Sequence, residues 1–177
     1  MSIAPPTGAD AVIPPRTSAI ASRLRLARLR ARTRDPHVTA RLERPARACA
    51  QVRVDGGRVR LGDGCLLGPG CRIEAPGGTV EIGAGARIGG RSVIVALSSV
   101  TVGAGATVGE WAVLSDAEPS GADAEAPLRL QPLRPEPIAV GDGARIGAHA
   151  ALGPGARVAA GAAVGSYAVV PTPPRSR

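Results

Sequence analysis

Few side chains in this 177-residue chain can exchange a proton near neutral pH. There are two histidines, His37 and His149. An unperturbed histidine has a pKa of about 6.5, which suits a general base. His149 belongs to a spacing pattern that also contains the only tryptophan, Trp111, and the only tyrosine, Tyr167. His37 lies in a basic segment outside that pattern and is interpreted as structural.

Carboxylates and thiols are the remaining candidates. Residues 115–137 contain Asp116, Glu118 and three further acids but no histidine. A carboxylate acts as a general base when a dry pocket raises its pKa, and is otherwise an ordinary solvated acid. Cys65 and Cys71 occupy repeat positions that elsewhere hold Ala or Ser, so both are interpreted as small core residues. The Cys and His spacings match no zinc motif, and no metal is expected.

A six-residue repeat positions these groups. From Leu61 onward, eleven hexads begin with Leu, Ile or Val, ten have glycine second, and all have Ala, Cys or Ser fifth. The fifth position and the next first position are two residues apart, so both point to one face of a strand. Glycine at the second position is expected to allow a tight corner. Three hexads close a triangular turn, which predicts an all-β solenoid, a left-handed parallel β-helix of about five coils.

The domain boundaries follow from where the repeat holds. Residues 51–171 are predicted to form the β-helix domain, with a core of aliphatic residues because the chain has no Phe. One irregular spacing marks a long loop at residues 115–137. Residues 1–16 are rich in Pro and small residues and are predicted to be disordered, and residues 172–177 form a tail.

Residues 17–50 are predicted to be a basic helix and capping segment, with a short α-helix over residues 17–34. All 22 basic residues of the chain are Arg, a compositional bias that makes their number weak evidence for a polyanion partner. We favour a helix that covers the open end of the solenoid over one that contacts an anionic membrane or nucleic acid. No nucleic-acid partner is therefore expected.

The compartment is predicted from what the sequence lacks. No apolar run approaches the roughly 18 residues of a membrane span, and the first fifteen residues do not have the pattern of a signal peptide. A cytoplasmic protein with free thiols and no membrane span is expected.

Bulky residues recur at the fourth position of the second hexad in successive coils. The repeat predicts that they stack in a vertical ladder, one above the next, formed by Gly70, Arg91, Trp111, His149 and Tyr167. Most hexads have glycine at this position, so the turn itself does not need the large side chains. The ladder fits either an active site or a trimer interface, and the sequence leaves both open.

The run from Ile138 to Pro171, IAVGDGARIGAHAALGPGARVAAGAAVGSYAVVP, resembles the signature stretch of hexapeptide-repeat acyltransferases. The resemblance is to the maltose/galactoside and capsule O-acetyltransferase type and covers about residues 52–171. It implies a homotrimer with acetyl-CoA in a groove between neighbouring prisms. It also implies a histidine on a long loop, immediately before a proline, that acts as general base on the acceptor hydroxyl.

This chain departs from that pattern at the base. The residue before Pro119 is Glu118, so the resemblance places a carboxylate where the family has histidine. The candidates for the proton-accepting role are Glu118, Asp116 and His149. Glu118 takes the position of the family's residue, whereas His149 offers the more suitable side chain but must face a neighbouring subunit.

The resemblance also suggests where CoA would bind. The family's contacts are largely backbone groups of the late hexads, which correspond here to Ala148 and Ser166. Arg145, Arg175 or Arg177 could meet the phosphates of CoA. Trp111 and Tyr167 of the ladder adjoin the expected groove. The predicted function is acyl transfer from acetyl-CoA to a hydroxyl of a sugar or other small metabolite. The alternative is a trimeric scaffold or binding module that has lost catalysis.

Overall fold

The computed structural model describes residues 27–28, 31, 41–42, 50–121 and 125–171. Of the predicted helix over residues 17–34, Ala27, Arg28 and Ala31 are helical and exposed. The rest of that helix, the N-terminal segment 1–16 and the tail 172–177 lie outside the described residues. Within the described part of the chain, no helix has the length and apolar character needed to cross a membrane.

The described residues form an all-β parallel solenoid of about six turns, in agreement with the predicted left-handed β-helix. The strands of the first three turns are β1 (Arg41–Leu42), β2 (Gln51–Asp55), β3 (Arg58–Leu61), β4 (Leu66–Leu67), β5 (Arg72–Pro76), β6 (Thr79–Ile82), β7 (Arg87–Ile88), β8 (Val93–Val95) and β9 (Ser99–Val102). The fourth turn contains β10 (Thr107–Val108), β11 (Val113–Ser115), an inserted hairpin of β12 (Ala117–Pro119) and β13 (Leu133–Pro135) with a 3-10 helix (Leu128–Leu130), and β14 (Ile138–Val140). The last two turns contain β15 (Arg145–Ile146), β16 (Ala151–Leu152), β17 (Arg157–Val158), β18 (Ala163–Val164) and β19 (Val169–Val170).

Each of the first five turns contributes one strand to each of three parallel sheets, and the sixth contributes one strand to each of two. Sheet A is β1-β4-β7-β10-β15-β18, sheet B is β2-β5-β8-β11-β16-β19, and sheet C is β3-β6-β9-β14-β17. Equivalent residues stack in register, so that Ile94 pairs with Ile73 below and Leu114 above. The first turn consists of β1, β2 and β3 and lies almost entirely before the first hexad. The solenoid therefore has about six turns, one more than the five predicted from the hexads.

The core follows the predicted inward positions. First-position residues such as Ile73, Ile94 and Leu114 are fully buried. The fifth position holds small residues that are buried in all but the last turn, including Cys65, Cys71 and Ser92. The Ser92 hydroxyl donates a hydrogen bond of 2.7 Å to the carbonyl oxygen of Gly109, so the one polar side chain at this position is satisfied.

The expected reason for glycine at the second position was wrong. Second-position glycines do not have positive φ. Instead, the next turn passes directly over them: a Cβ added at Gly109 would lie 2.5 Å from the backbone nitrogen of Ala148. The same holds at Gly147, where the added Cβ would lie 2.3 Å from the nitrogen of Ser166. Glycine is needed there because stacked turns approach closely, not because the corner is tight.

The fourth position is where the backbone adopts positive φ. Two corners of the prism differ at this position and are named here by it. The glycine corner, between sheets C and A, has glycine with φ of 64° to 69° in each of five turns, at Gly64, Gly85, Gly105, Gly143 and Gly161. The aromatic corner, between sheets A and B, has Gly70 first and then four non-glycine residues with φ of 58° to 60°, Arg91, Trp111, His149 and Tyr167.

The inserted hairpin is the main departure from the repeat. It leaves the solenoid after β11 and returns at β14, with β12 and β13 paired antiparallel. Gln131 organises its interior: its Nε2 donates to the carbonyl oxygen of Ala126 at 3.0 Å, and its Oε1 accepts from the Ser120 hydroxyl at 3.3 Å. The hairpin therefore has internal structure and stands beside the outer face of sheet B.

Candidate functional site

The predicted ladder is present at the aromatic corner. The rings of Trp111 and His149 are stacked with centroids 6.1 Å apart and planes 7° from parallel. His149 and Tyr167 are stacked at 4.7 Å and 3°. The guanidinium carbon of Arg91 lies 4.8 Å from the centroid of the Trp111 ring. We call the three rings the aromatic ladder, with Arg91 at its foot.

The aromatic ladder is held on the outside of the prism by a strained backbone. All three ring-bearing residues and Arg91 have left-handed φ, which costs a residue with a Cβ about 1–2 kcal/mol. Despite that cost the rings are not in the core: Trp111 is 47% exposed and Tyr167 is 74% exposed. Strained residues that gain little burial point to a role in binding.

The outer face of sheet B changes character along the solenoid. In the first two turns it presents charged and polar side chains, including Arg53, Arg72 and Glu74. In the upper turns most of the same positions hold apolar residues, and Val113 and Val169 are 42% and 70% exposed. The apolar part of this face begins two residues after each member of the ladder.

A groove of about 480 Å³ lies on this apolar surface, beside the inserted hairpin. Its lining residues are Val113, Ser115, Ala117, Glu118, Ala151, Leu152, Gly153, Pro154, Val169, Val170 and Pro171. Most of the lining is aliphatic, and Glu118 is the one ionisable residue in it. The hairpin thus places a carboxylate beside an apolar groove.

Glu118 itself lies on the exposed side of the hairpin. It is in the middle of β12, opposite Arg134 of β13, and its side chain is exposed. Within one chain the side chain is therefore in contact with solvent as well as with the groove. A dry environment around it would need a further surface, such as a neighbouring subunit.

Asp116 has a different environment from Glu118, only two residues away. Its side chain is fully buried. The two carboxylate oxygens accept hydrogen bonds from the backbone N–H groups of Leu97 and Ser98, at 2.8 and 2.7 Å. This carboxylate fixes the start of the hairpin to the turn below, a positioning role that occupies both oxygens.

His149 and Glu118 lie at opposite ends of the strands of sheet B. His149 precedes β16, whereas Glu118 follows β11 and reaches the groove from the far side. The groove lining includes Glu118 but not His149. Both faces of the His149 ring are covered by the neighbouring rings, which leaves the ring edge as its accessible part.

The remaining predicted binding residues lie along the same corner and on sheet A. Ala148 is partly buried, and its carbonyl oxygen accepts a 2.9 Å hydrogen bond from the backbone N–H of Tyr167. Ser166 is exposed in the last turn. Arg145 is exposed on sheet A, between Thr107 and Ala163. These residues are near the aromatic ladder in the chain but are not part of the groove lining.

The thiols of Cys65 and Cys71 are unsuited to chemistry. Both are free and buried. Burial raises the pKa of Cys65 to about 11, with a smaller contribution from Asp63. Burial raises the pKa of Cys71 to about 12, with a smaller contribution from Cys65. Because the thiolate is the reactive form, neither residue is a nucleophile at neutral pH.

Sequence reasoning missed most of the groove. It identified Glu118, but not Ala151, Pro154 or Val169. The available signal was the alternation along the strands of sheet B, where every outward residue of the upper turns is small or aliphatic. What the repeat could not show was that the hairpin stands beside these strands and turns a flat face into a groove.

Comparison with known proteins supports the fold. The sequence matches no family profile and no curated protein sequence. Two solved structures of AntD, an N-acyltransferase from Bacillus cereus, are similar. One, in complex with dTDP and 3-hydroxybutyryl-CoA, has a TM-score of 0.60 and 15% identity over 76% of this chain and 70% of that chain. A point mutant of AntD with dTDP-4-amino-4,6-dideoxyglucose and coenzyme A has a TM-score of 0.54 and 14% identity over 70% and 71%. At this identity the likeness shows a shared fold.

Proposed function

We propose that this protein is an acyltransferase that moves an acyl group from acyl-CoA to a small acceptor at the groove of sheet B. The observation that carries the proposal is the position of Glu118, which the hairpin holds beside an apolar groove. The two similar structures contain acyl-CoA or CoA on the same fold, which supports a CoA thioester as the donor. Acetyl-CoA is the simplest donor of this class.

Acyl transfer from a thioester needs a general base that removes a proton from the acceptor. A hydroxyl becomes an effective nucleophile only as its proton leaves, and an ammonium group must lose a proton before it attacks a thioester. Glu118 is the groove residue able to accept that proton. The acceptor oxygen or nitrogen then forms a bond to the thioester carbonyl carbon, and the CoA thiolate leaves and takes up a proton.

The acceptor proposed from the sequence is a hydroxyl of a sugar or other small metabolite. The similar structures belong to an N-acyltransferase with a dTDP-linked amino sugar in one complex, which supports adding amines to the acceptors tested. The apolar lining suits an acyl chain, and Arg145 remains our candidate for the CoA phosphates.

A homotrimer is part of the proposal. Exposed apolar residues such as Val113 and Val169 on a flat face are typical of interfaces. A neighbouring prism on this face would also cover Glu118 and exclude water, which a carboxylate base needs. Light scattering at micromolar concentration should give three times the mass of one chain, and a monomer would contradict this part.

The central experiment measures CoA release from acetyl-CoA with panels of hydroxyl and amine acceptors. Glu118→Gln keeps the shape of the side chain and removes its basicity, so we expect the rate to fall about 10²–10⁴-fold. His149→Ala tests the second candidate in the same assay. Calorimetric titration with acetyl-CoA should give a micromolar dissociation constant, and no binding at millimolar concentration would contradict the proposal.

Asp116→Asn is the matched control for Glu118→Gln. It also replaces a hairpin carboxylate by an amide, but at a residue whose two oxygens accept backbone hydrogen bonds. An amide can accept with only one oxygen and brings an N–H₂ group against the Leu97–Ser98 backbone. We expect a loss of stability of about 1–3 kcal/mol, measured by urea unfolding. Glu118→Gln, at an exposed side chain, should change stability by less than about 1 kcal/mol.

The alternative is a scaffold or binding module without catalysis. It is favoured by the absence of histidine from the inserted hairpin and by the structural engagement of Asp116. The same rate measurements decide between the two. If Glu118→Gln, His149→Ala and the double variant all keep the parent's rate, the groove has no general base of this kind.

A further inference from the structure

We propose that the outward ring face of Tyr167 is a stacking site for the base of a nucleotide, which would add a fourth ring to the aromatic ladder. The inference extends the acyl-transfer proposal, because CoA carries an adenine base and an acceptor can be carried on a nucleotide. CoA and a nucleotide-linked acceptor have in common a flat heteroaromatic ring that is connected through its pentose to a phosphate chain.

The backbone at the aromatic corner indicates that these rings are kept for a purpose other than folding. The glycine corner makes the equivalent turn with glycine in all five turns. At the foot of the aromatic corner, Gly70 makes the same turn with φ of 71°. A left-handed backbone is unfavourable for a bulky residue. The fold therefore accepts glycine where the chain has Trp111, His149 and Tyr167.

The last ring has a face that the described residues leave open. His149 covers one face of Tyr167 at 4.7 Å. On the other side, a Cβ added at Gly165 would meet nothing within 4 Å, whereas one added at Gly147, a turn below, would meet the Ser166 backbone. Among the described residues, no further turn lies over Tyr167. A planar ligand can stack there at the spacing that the ladder already uses.

The open face of Tyr167 and the groove are connected along one strand. Tyr167 precedes β19, and Val169, Val170 and Pro171 line the groove. From Tyr167 to Pro171 is four residues, or about 13 Å of extended chain. A nucleotide whose base stacks on Tyr167 can therefore send its phosphate chain along sheet B and place the attached group near Glu118. The ladder would fix the orientation of a ligand whose reacting end is in the groove.

The test is equilibrium binding of nucleotides to the full chain, without turnover. The probes are CoA, UDP, dTDP and ADP, with pantetheine and inorganic pyrophosphate as probes that have no base. Trp111 is the only tryptophan, and its fluorescence reports on the ladder. Stacking of a base on an aromatic side chain typically contributes enough that its loss weakens binding by about 5- to 150-fold. We expect Tyr167→Gly to weaken binding of at least one nucleotide by this factor.

Two further measurements separate a binding ring from a structural one. Tyr167→Phe keeps the ring and should keep the parent's affinity. Tyr167→Gly removes a side chain from a left-handed backbone, so its melting temperature should be equal to or higher than the parent's. Unchanged nucleotide affinity in Tyr167→Gly would overturn the proposal, and a lower melting temperature together with it would show that the ring serves stability. Conversion of an oligomer to a monomer in Tyr167→Gly, with affinity retained, would assign the ring face to a second copy of the chain and also overturn it.

The probes distinguish the two sources of the base. Weaker binding of CoA but not of pantetheine would assign the site to adenine of the donor. Weaker binding of UDP or dTDP, with CoA unaffected, would assign it to a nucleotide-linked acceptor. Equal affinity for nucleotides and pyrophosphate would show recognition of phosphate alone and would sink the stacking site. The acyl-transfer proposal fails separately, since CoA release in the Glu118 assay does not depend on the result at Tyr167.

Discussion

The glycine corner and the aromatic corner make the same turn in two ways. Both follow the second position of a hexad, which is glycine in every case except Ala159, and both have positive φ at the fourth position. At the glycine corner every turn meets that need with glycine, which has no Cβ to strain. At the aromatic corner four successive turns meet it with a bulky residue, three of which carry rings that stack.

The difference separates what the solenoid requires from what this protein adds. A corner built only for folding would have glycine throughout, as the glycine corner does. The aromatic corner accepts backbone strain and keeps its rings on the surface, next to an apolar face that carries a groove. The two corners thus provide an internal control: the same backbone position can be tested in one chain with and without a functional side chain.

At neutral pH, the largest effect on stability is expected at the second position, which both corners share. Gly109→Ala places a Cβ 2.5 Å from the backbone of the next turn, and neither backbone can move without separating the turns. We expect a loss of about 3 kcal/mol, the upper end of the range for overpacking, measured by urea unfolding. Gly165→Ala is the matched control because nothing lies within 4 Å of its added Cβ; it should change stability by less than about 0.5 kcal/mol. Equal effects at the two glycines would contradict the role given to turn stacking.

The sequence predicted those parts of the molecule that repeat. Register, inward positions and the ladder all follow from residues that recur at one hexad position, so the stacking of Trp111, His149 and Tyr167 follows from the sequence alone. The reason for the second-position glycine was missed because it depends on the distance between turns, which a single hexad does not contain.

The candidate site was less predictable because it depends on the segment that does not repeat. The sequence identified Glu118 by its place before Pro119, but no periodicity fixes where an inserted hairpin stands. The hydrogen bonds of Asp116 to the backbone of Leu97 and Ser98 join residues 18 to 19 positions apart, which lie in neighbouring turns. The assignment of Asp116 as a candidate base could not anticipate that its two oxygens hold the hairpin in place.

A second expected effect concerns the interior that the two corners share. Cys65 follows Gly64 of the glycine corner, and Cys71 follows Gly70 of the aromatic corner. Burial raises their pKa values from 9.0 to about 11 and about 12, so the native state keeps both thiols protonated where the unfolded state ionises. The stability that this provides is full below pH 9 and is lost as the pH rises from about 9 toward the folded values.

Each thiol should lose about 1.4 kcal/mol of its stabilising contribution for each pH unit between pH 9 and its folded pKa. Urea unfolding of the parent and of the Cys65→Ala, Cys71→Ala double variant at pH 8, 9, 10 and 11 measures it. Because Ala occupies the same position in most hexads, the double variant should fold normally and show a shallower loss at high pH. Parallel pH profiles for the two proteins would mean that the thiols are not protected from ionisation in the native state.

The smallest effect compares the fourth position of the two corners directly. Gly143→Ala puts a Cβ on a backbone with φ of 64°, where it meets no atom within 4 Å. The penalty is therefore purely conformational, about 1–2 kcal/mol, and Gly143→Asn should lose less because Asn tolerates left-handed φ better.

Arg91→Gly makes the reverse change at the foot of the ladder. It relieves the same strain but loses the contact of the guanidinium with the Trp111 ring, which contributes about 0.5–1 kcal/mol at an exposed site. The two terms nearly cancel, so its stability should stay within about 1 kcal/mol of the parent. If Arg91→Gly is instead more damaging than Gly143→Ala in urea unfolding, the side chains of the aromatic corner serve stability, and the contrast between the two corners loses its functional meaning.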